Sequence, residues 1–246
     1  RIGSQILTHY PETIQIAKMI TSQEAALDTR QSSTIFIPEL AKDILEQLVF
    51  EARKSEYVDV KSGVSARLSI TAFENLVSTA ERRLLHSGDD KTAIRMSDFT
   101  GIIPAITGKI ELVYEGEQEG AYNVALTLLG NAIKSLYSDF FPKIEKIEKQ
   151  GVETPYDEIV SWFFNNSEDF EILDDISEKN YTSKLEKVKP LSEFVLKYQV
   201  GVTPEEVCFW QEFVLWSLVE HKKLSKYRYA EGVQFKDPYG SFISGL

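Results

Sequence analysis

Apolar residues recur at helical spacing from Val64 through Leu68, Ala72, Phe73, Leu76, Val77, Ala80 and Leu84. A stripe this regular commits the segment to one long helix with a buried face. The residues before it, Ser62-Gly63-Val64-Ser65-Ala66-Arg67, read as its start. Ser62 or Ser65 can cap the first turn, and Gly63 lets the backbone turn into the helix. Arg67 then falls where the helix end already carries partial positive charge, so a cation there costs roughly 0.3–1 kcal/mol unless an anion shares the site. A helix N-terminus with an arginine beside it suits a phosphate. A solvated surface arginine is the other reading of the same residue. The helix is expected to end near Gly88, with His86 in its last turn.

Around this helix the chain reads as mainly α with short extended segments. Residues 1–10 look like an edge strand without neighbours, with Ile6 and Leu7 as its apolar content. Pro11 and Glu12 open a helix to about Leu27 that is expected to bury Ile14, Ala17 and Ile20. Residues 28–33 read as a loop and residues 34–37 as a short apolar strand. Pro38 and Glu39 open a second helix with Leu40, Ile44, Leu48 and Val49 on one face. Ser97-Asp98 starts a short helix carrying Phe99, Ile102 and Ile103, limited by Pro104 and ended by Gly108. Ile110, Leu112 and Tyr114 alternate as in a weak strand or extended arm. A longer helix from about Glu117 to Phe140 buries Leu126, Leu129, Ile133, Leu136 and Tyr137.

A charged stretch at residues 142–154 marks a boundary, dividing a helical unit at 11–141 from a C-terminal helical region at 142–246. Thr154-Pro155 restarts a helix whose apolar side is Tyr156, Ile159, Val160, Phe163 and Phe164. Glu168, Asp169, Asp174 and Asp175 lack the ligand spacing of a calcium loop and read as a solvated acidic turn. Thr203-Pro204-Glu205-Glu206 is the cleanest helix start in the chain. From it run Val207, Trp210, Val214 and Leu218 on one stripe, with Phe209, Phe213 and Trp216 on the next. Such a helix is central to a core or lies in an interface. The tail from Tyr227 reads as loose.

Several kinds of chemistry are excluded. The chain carries 38 acidic against 27 basic residues, a formal charge of −11, and that field argues against a nucleic-acid partner. A single cysteine, Cys208, rules out an intrachain disulfide or a cysteine zinc cage and suits a reducing cytoplasm. Its neighbours Phe209 and Trp210 favour a buried inert thiol. No apolar run reaches the ~18–20 residues of a membrane span. Gly108-Lys109 is the only Gly-Lys pair, but Ile103 stands where the first glycine of a phosphate-binding P-loop would be and Ile110 follows the lysine. There is no apolar strand ending in Asp-Glu to hold magnesium, no H-E-x-x-H (His9, His86 and His221 lie far apart), and no Gly-x-Ser-x-Gly elbow.

Three segments carry a resemblance. Gly63-Val64-Ser65-Ala66-Arg67-Leu68-Ser69 is similar to the sensor-II segment in the helical lid of AAA+ ATPases of the MoxR and magnesium-chelatase ATPase-subunit group. Arg1-Ile2 followed by Tyr10-Pro11 resembles the junction between core domain and lid in that group. Ser97-Asp98-Phe99, the run from Pro104 to Leu112, and Tyr114-Glu115-Gly116-Glu117 resemble a bacterial magnesium-chelatase-like branch. Together they cover roughly residues 1–140.

The resemblance implies an AAA+ lid bundle at 11–141 behind a remnant of the core's last strand at 1–10, followed by an α-helical accessory region at 142–246. It implies that Arg67 contacts the phosphates of ATP, with Mg2+ supplied by groups outside this chain. Arg1 would correspond to the arginine reaching a neighbouring subunit's nucleotide in a ring. Hydrolysis would then swing the lid to remodel a protein partner. Lacking a P-loop and opening on Arg1 rather than methionine, the chain is expected to be part of such an ATPase and not to hydrolyse ATP alone. The rival expectation is a non-enzymatic helical module whose aromatic C-terminal helices bind a protein.

Overall fold

The computed structural model describes residues 3–144, 153–166, 170–229 and 231–238, and it is mainly α-helical. After an extended arm, α1 (Ile14–Glu24) starts where the Thr13 hydroxyl accepts the Ile16 N–H at 3.2 Å. The expected loop is instead a short helix, α2 (Thr29–Thr34), because Asp28 and Gln31 form a reciprocal capping box. Strand β1 (Ile35–Phe36) follows, then α3 (Glu39–Lys54) and the long helix α4 (Arg67–Ser87), which ends at Gly88 as expected. Strand β2 (Thr92–Ala93) pairs in parallel with β1, and a 3-10 helix (Met96–Ile102) runs directly into α5 (Ile103–Thr107). Pro104 opens that second piece rather than stopping the first, since its missing N–H costs nothing in a first turn.

The helix expected from about Glu117 is in fact two. Gly120 takes φ +90° between α6 (Tyr114–Glu119) and α7 (Ala121–Phe140), a backbone state that other residues rarely adopt. The C-terminal part holds α8 (Asp157–Asn166), α9 (Glu178–Glu186), α10 (Lys189–Tyr198) and α11 (Pro204–Glu220). It also holds a three-stranded antiparallel sheet in the order β3 (Glu171–Leu173), β5 (Gly232–Lys236), β4 (Ser225–Tyr229). The tail expected to be loose from Tyr227 instead forms a hairpin as far as Lys236, with Val233 and Phe235 buried on alternate positions of β5; residues 239–246 lie outside the described residues.

Two packing features set the stage for the functional surface. In the first, Ile20 on α1 is 37% exposed, and Thr21 turns inward in its place. The Thr21 hydroxyl donates to Glu46 of α3 at 2.5 Å, and Ser69 of α4 donates to the other carboxylate oxygen at 2.8 Å. A buried carboxylate thus ties three helices together.

The second is the core itself. One apolar cluster runs from Ile35 to Phe235, so residues on both sides of 142–154 share it. Helix α11 lies against α7 and α10, where Trp210, Phe213, Phe141 and Phe194 stack among themselves and Tyr137 with ring centroids 5.3–6.4 Å apart. The second stripe of α11 is buried too, Phe209 against Phe99 of the 3-10 helix with ring centroids 6.5 Å apart and Trp216 beneath Lys226 of β4, 3.3 Å from its ring centre. Each large side chain so buried contributes about 1.5–3 kcal/mol. Among the described residues no helix is long and apolar enough to cross a membrane.

Candidate functional site

The site singled out in the sequence lies at the N-terminal end of α4. Gly63 adopts φ +70°, as the turn into the helix requires. Neither candidate serine is the N-cap, which falls on Ala66 without a side-chain cap bond; Ser65 supports the turn just before it, its hydroxyl accepting the Arg67 N–H at 3.2 Å and its carbonyl the Leu68 N–H at 2.9 Å. Ser62 is engaged elsewhere, within hydrogen-bond reach of Asp59 at 2.9 Å and of the Glu111 carboxylate. Arg67 is the first residue of α4 and exposed, and among the described residues it has no hydrogen-bond or ion-pair partner for its side chain. Arg1 lies outside the described residues.

Described residues of all three segments that carry the resemblance meet at this turn. From the second, the phenol oxygen of Tyr10 accepts the Val64 N–H at 3.1 Å. From the third, the Asp59 N–H donates to the Glu111 carbonyl at 2.8 Å, Val113 N–H donates to the Tyr57 carbonyl at 3.1 Å, and Val58 pairs with Leu112 in an antiparallel bridge. The weak strand signal around Leu112 is this single bridge. Asp59 holds the turn from inside: it accepts the Lys61 N–H at 2.9 Å, and that bond, with the Ser62 hydroxyl, draws its pKa below the ordinary carboxylate value. The loop that presents Arg67 is thus fixed by its neighbours while the arginine itself is left open.

The opposite end of α4 is built differently. Arg83, 4% exposed, points into a buried polar cluster. Its guanidinium grips Asp98 through Nε at 3.2 Å and Nη2 at 2.8 Å, and donates to Thr92 Oγ1 at 2.5 Å and the Ala93 carbonyl at 2.7 Å. Burial works against the Arg83 charge, but Asp98 and Glu178 outweigh it and hold the pKa above its ordinary value. Arg95 stacks 4.0 Å over the Tyr181 ring and donates to Glu178 at 3.0 Å and the Ile176 carbonyl at 3.1 Å. One oxygen of Glu212, on α11, accepts from Tyr181 at 2.6 Å and from the Met96 N–H at 2.9 Å, while the other has no partner. Burial pushes the Glu212 carboxyl above its usual range, and Tyr181 likewise rises well above a free phenol.

Apart from Asp98, read as a helix start, the cluster residues carry no local motif in the sequence, although a signal exists. Arg83 stands three residues after Ala80 and seven after Leu76, inside the buried stripe. Glu212, with Gln211 beside it, interrupts the apolar run from Val207 to Trp216. A charge at such a position must be paired. Beside the cluster opens a cleft of about 730 Å3, bounded by α2, β1, residues 91–93, α9 and the start of α11, with Lys91, Glu178 and Glu205 as its charged walls. Arg67 takes no part in it.

The remaining candidates are structural. Cys208 is buried 3.6 Å from the Thr182 hydroxyl, and burial pushes its thiol up to about 11. Gly108 closes α5, and its N–H donates to the Pro104 carbonyl at 3.1 Å. The expected solvated turn is an ion pair in part, since Asp174 holds Arg228 through two bonds of 3.0 and 2.6 Å; Glu168 and Asp169 lie outside the described residues. His86 sits 3.8 Å from Asp175. No protein-family model, no curated protein and no solved structure matches this chain.

Proposed function

We propose that this chain is the lid and C-terminal accessory region of a AAA+ ATPase resembling the magnesium-chelatase ATPase subunit and MoxR group. In it, the chain couples ATP binding and hydrolysis to the remodelling of a protein partner, next to neighbouring subunits of a ring. The observation that carries this reading is Arg67: an exposed, unpaired arginine in the first turn of a 21-residue helix, behind a positive-φ glycine. The first-turn N–H groups and the helix dipole attract an anion, and a cation sits there at a cost that an anion removes. Arginine adds a fixed charge and a forked donor set suited to phosphate oxygens. The rigid loop beneath it supplies the preorganisation that electrostatic stabilisation of a transferring phosphoryl group needs.

The fit is partial by nature. Arg67 would approach the phosphates of ATP, while the chain offers no P-loop and no magnesium-holding strand of its own. Those groups belong to the core domain in this reading. Mg2+ supplies charge neutralisation at the phosphates when bound, and this chain's part is to bring one arginine to them and shield them from water. The aromatic stripes of α11, which the rival reading places at a partner interface, are spent on the core.

The test is Arg67→Ala in the full-length gene product. Mg2+-dependent ATP turnover should fall on the order of 10²-fold or more, as for other positioned donors, with an unchanged melting temperature. Wild-type turnover in a folded Arg67→Ala variant would sink the reading.

A further inference from the structure

The Tyr10 side chain does something at this site that the sequence does not announce. It reaches from the extended arm to the turn before α4, where its hydroxyl is 3.1 Å from the Val64 nitrogen. A Cβ on Gly63 would stand 2.5 Å from that hydroxyl, closer than real Cβ contacts allow, so the bare glycine is what admits the phenol. On the other side the Arg53 guanidinium lies 4.2 Å from the centre of the Tyr10 ring, within the range of a cation–π contact. Arg53 comes from the last turn of α3 and makes no ion pair among the described residues; its Nε is buried without a partner. Burial pulls its pKa below the ordinary guanidinium value, opposed by Tyr10 and Glu46. Tyr10 as a whole is nonetheless 48% exposed, so it is held by two specific contacts and not by a core.

We propose that Tyr10 and Arg53 are positioning residues: the Arg53-stacked phenol pins the Gly63–Val64 turn and thereby fixes where Arg67 stands relative to the arm that enters the helical bundle. The inference rests on the reading of Arg67 as the phosphate-facing group and deepens it. The Val64 N–H is three residues before Arg67, so the bond acts on the turn that sets the direction of the first helical residues. The arm before Tyr10 and the start of α4 then move as one piece, and a displacement of the arm is passed to the arginine through a single hydrogen bond and one stacked cation.

The experiment is a double-mutant cycle on ATP turnover of the full-length gene product with Mg2+ and ATP as probe. Tyr10→Phe keeps the stacked ring and removes the acceptor. It should lower kcat about three- to tenfold, the range a single lost hydrogen bond spans, and leave KM and melting temperature nearly unchanged. In an Arg67→Ala background the same change should cost less than about twofold, because Tyr10 acts through Arg67. Arg53→Lys, which retains a cation over the ring, should keep more turnover than Arg53→Met. Hydrogen exchange on the 246-residue chain gives an ATP-independent readout: the Val64 amide should lose protection in Tyr10→Phe. Unchanged Val64 exchange, unchanged turnover, or a loss fully additive with Arg67→Ala would each overturn the positioning role while leaving the lid reading standing. If Arg67→Ala itself leaves turnover intact, the lid reading fails and takes the positioning role with it.

Discussion

Arg67 and Arg83 are carried by the same helix, roughly 24 Å apart along its axis at the usual rise per residue, and the protein treats them in opposite ways. Around Arg83 four of the five N–H donors have an acceptor in Asp98, Thr92 or the Ala93 carbonyl, and Glu178 adds its charge at 3.8 Å. The surroundings include α9 and α11, so this end of the helix is welded to the C-terminal region. Around Arg67 the loop is equally well defined, yet among the described residues nothing accepts from the guanidinium. Asp59, Ser62, the Val64 N–H and Ser65 are all engaged in hydrogen bonds, and the Arg67 guanidinium is not. An arginine with its partners inside the fold does structural service; one held out by a rigid loop is available to something outside it. What separates the two is the placement of carboxylates, for the cluster around Arg83 uses Asp98, Glu178 and Glu212.

The largest effect should come from breaking the welded end. Asp98→Ala would leave the Arg83 guanidinium buried without its carboxylate and also strip the Arg95 N–H of its acceptor, now at 2.7 Å. Removing one member of a buried pair costs about 3–5 kcal/mol, a large share of a domain's ~5–15 kcal/mol. Urea denaturation should show it, and pairing Asp98→Leu with Arg83→Met should recover much of the loss, because no uncompensated charge then remains. A cost below about 1 kcal/mol for Asp98→Ala would mean that the cluster is incidental and that the two ends differ less than their geometry suggests.

A second way to sharpen the contrast uses pH. The Glu212 carboxyl is held above its ordinary value by burial, and Glu46 shares that direction for the same first cause. A carboxyl whose folded pKa is raised binds its proton more tightly in the native state. Its stabilising share is therefore fully present below the unfolded value of about 4.3 and is lost as pH rises through the folded value. Glu212→Gln is neutral throughout and retains an acceptor for Tyr181 and Met96. It should match the wild type near pH 4 and become the more stable of the two as pH rises toward 8. Parallel stability curves for the two proteins would show that Glu212 titrates normally and that the cluster is wetter than it looks.

How far this arrangement could be read in advance differs between the two ends. The long helix, its start behind Gly63 and its stop at Gly88 follow from local rules, because a stripe of apolar residues and a positive-φ glycine act over a few positions. The same holds for α11, whose Thr203–Glu206 capping box is present as the sequence suggests. The short α2 was hidden because Asp28 and Gln31 look like loop residues until both halves of their box are counted. The β4–β5 hairpin was misread for a related reason: its alternation of Val233 and Phe235 with Gln234 and Lys236 is legible, but it is short and set in a polar tail. The cluster around Arg83 depends on residues from four separate stretches, and pairing across such distances leaves no local pattern. What could have been noticed was only the anomaly, a charge inside a buried stripe. At the open end the helix start at Arg67 is legible because its setting is local; Arg53 and Tyr10 reach the turn from other elements, and no local pattern connects them to it.

The smallest effect is expected at Arg67 itself, and its sign is informative. An exposed cation in the first turn faces the positive end of the helix dipole, so reversing it to an acid should help the isolated fold. Arg67→Glu is expected to raise stability by about 0.3–1 kcal/mol at low ionic strength, and the gain should shrink in ~0.5 M salt as screening shortens the range of the interaction. Urea melts at the two salt concentrations would measure it. The Arg83 end allows no such gain: an acid there would face Asp98 in a buried site and should unfold the protein. A loss of more than about 1 kcal/mol for Arg67→Glu would show that the arginine has an internal role after all, and the division between an open and a welded end would fall. A gain in the isolated chain combined with lost turnover in the full-length gene product would be the signature of a charge kept at a small cost to the fold because something outside the fold needs it.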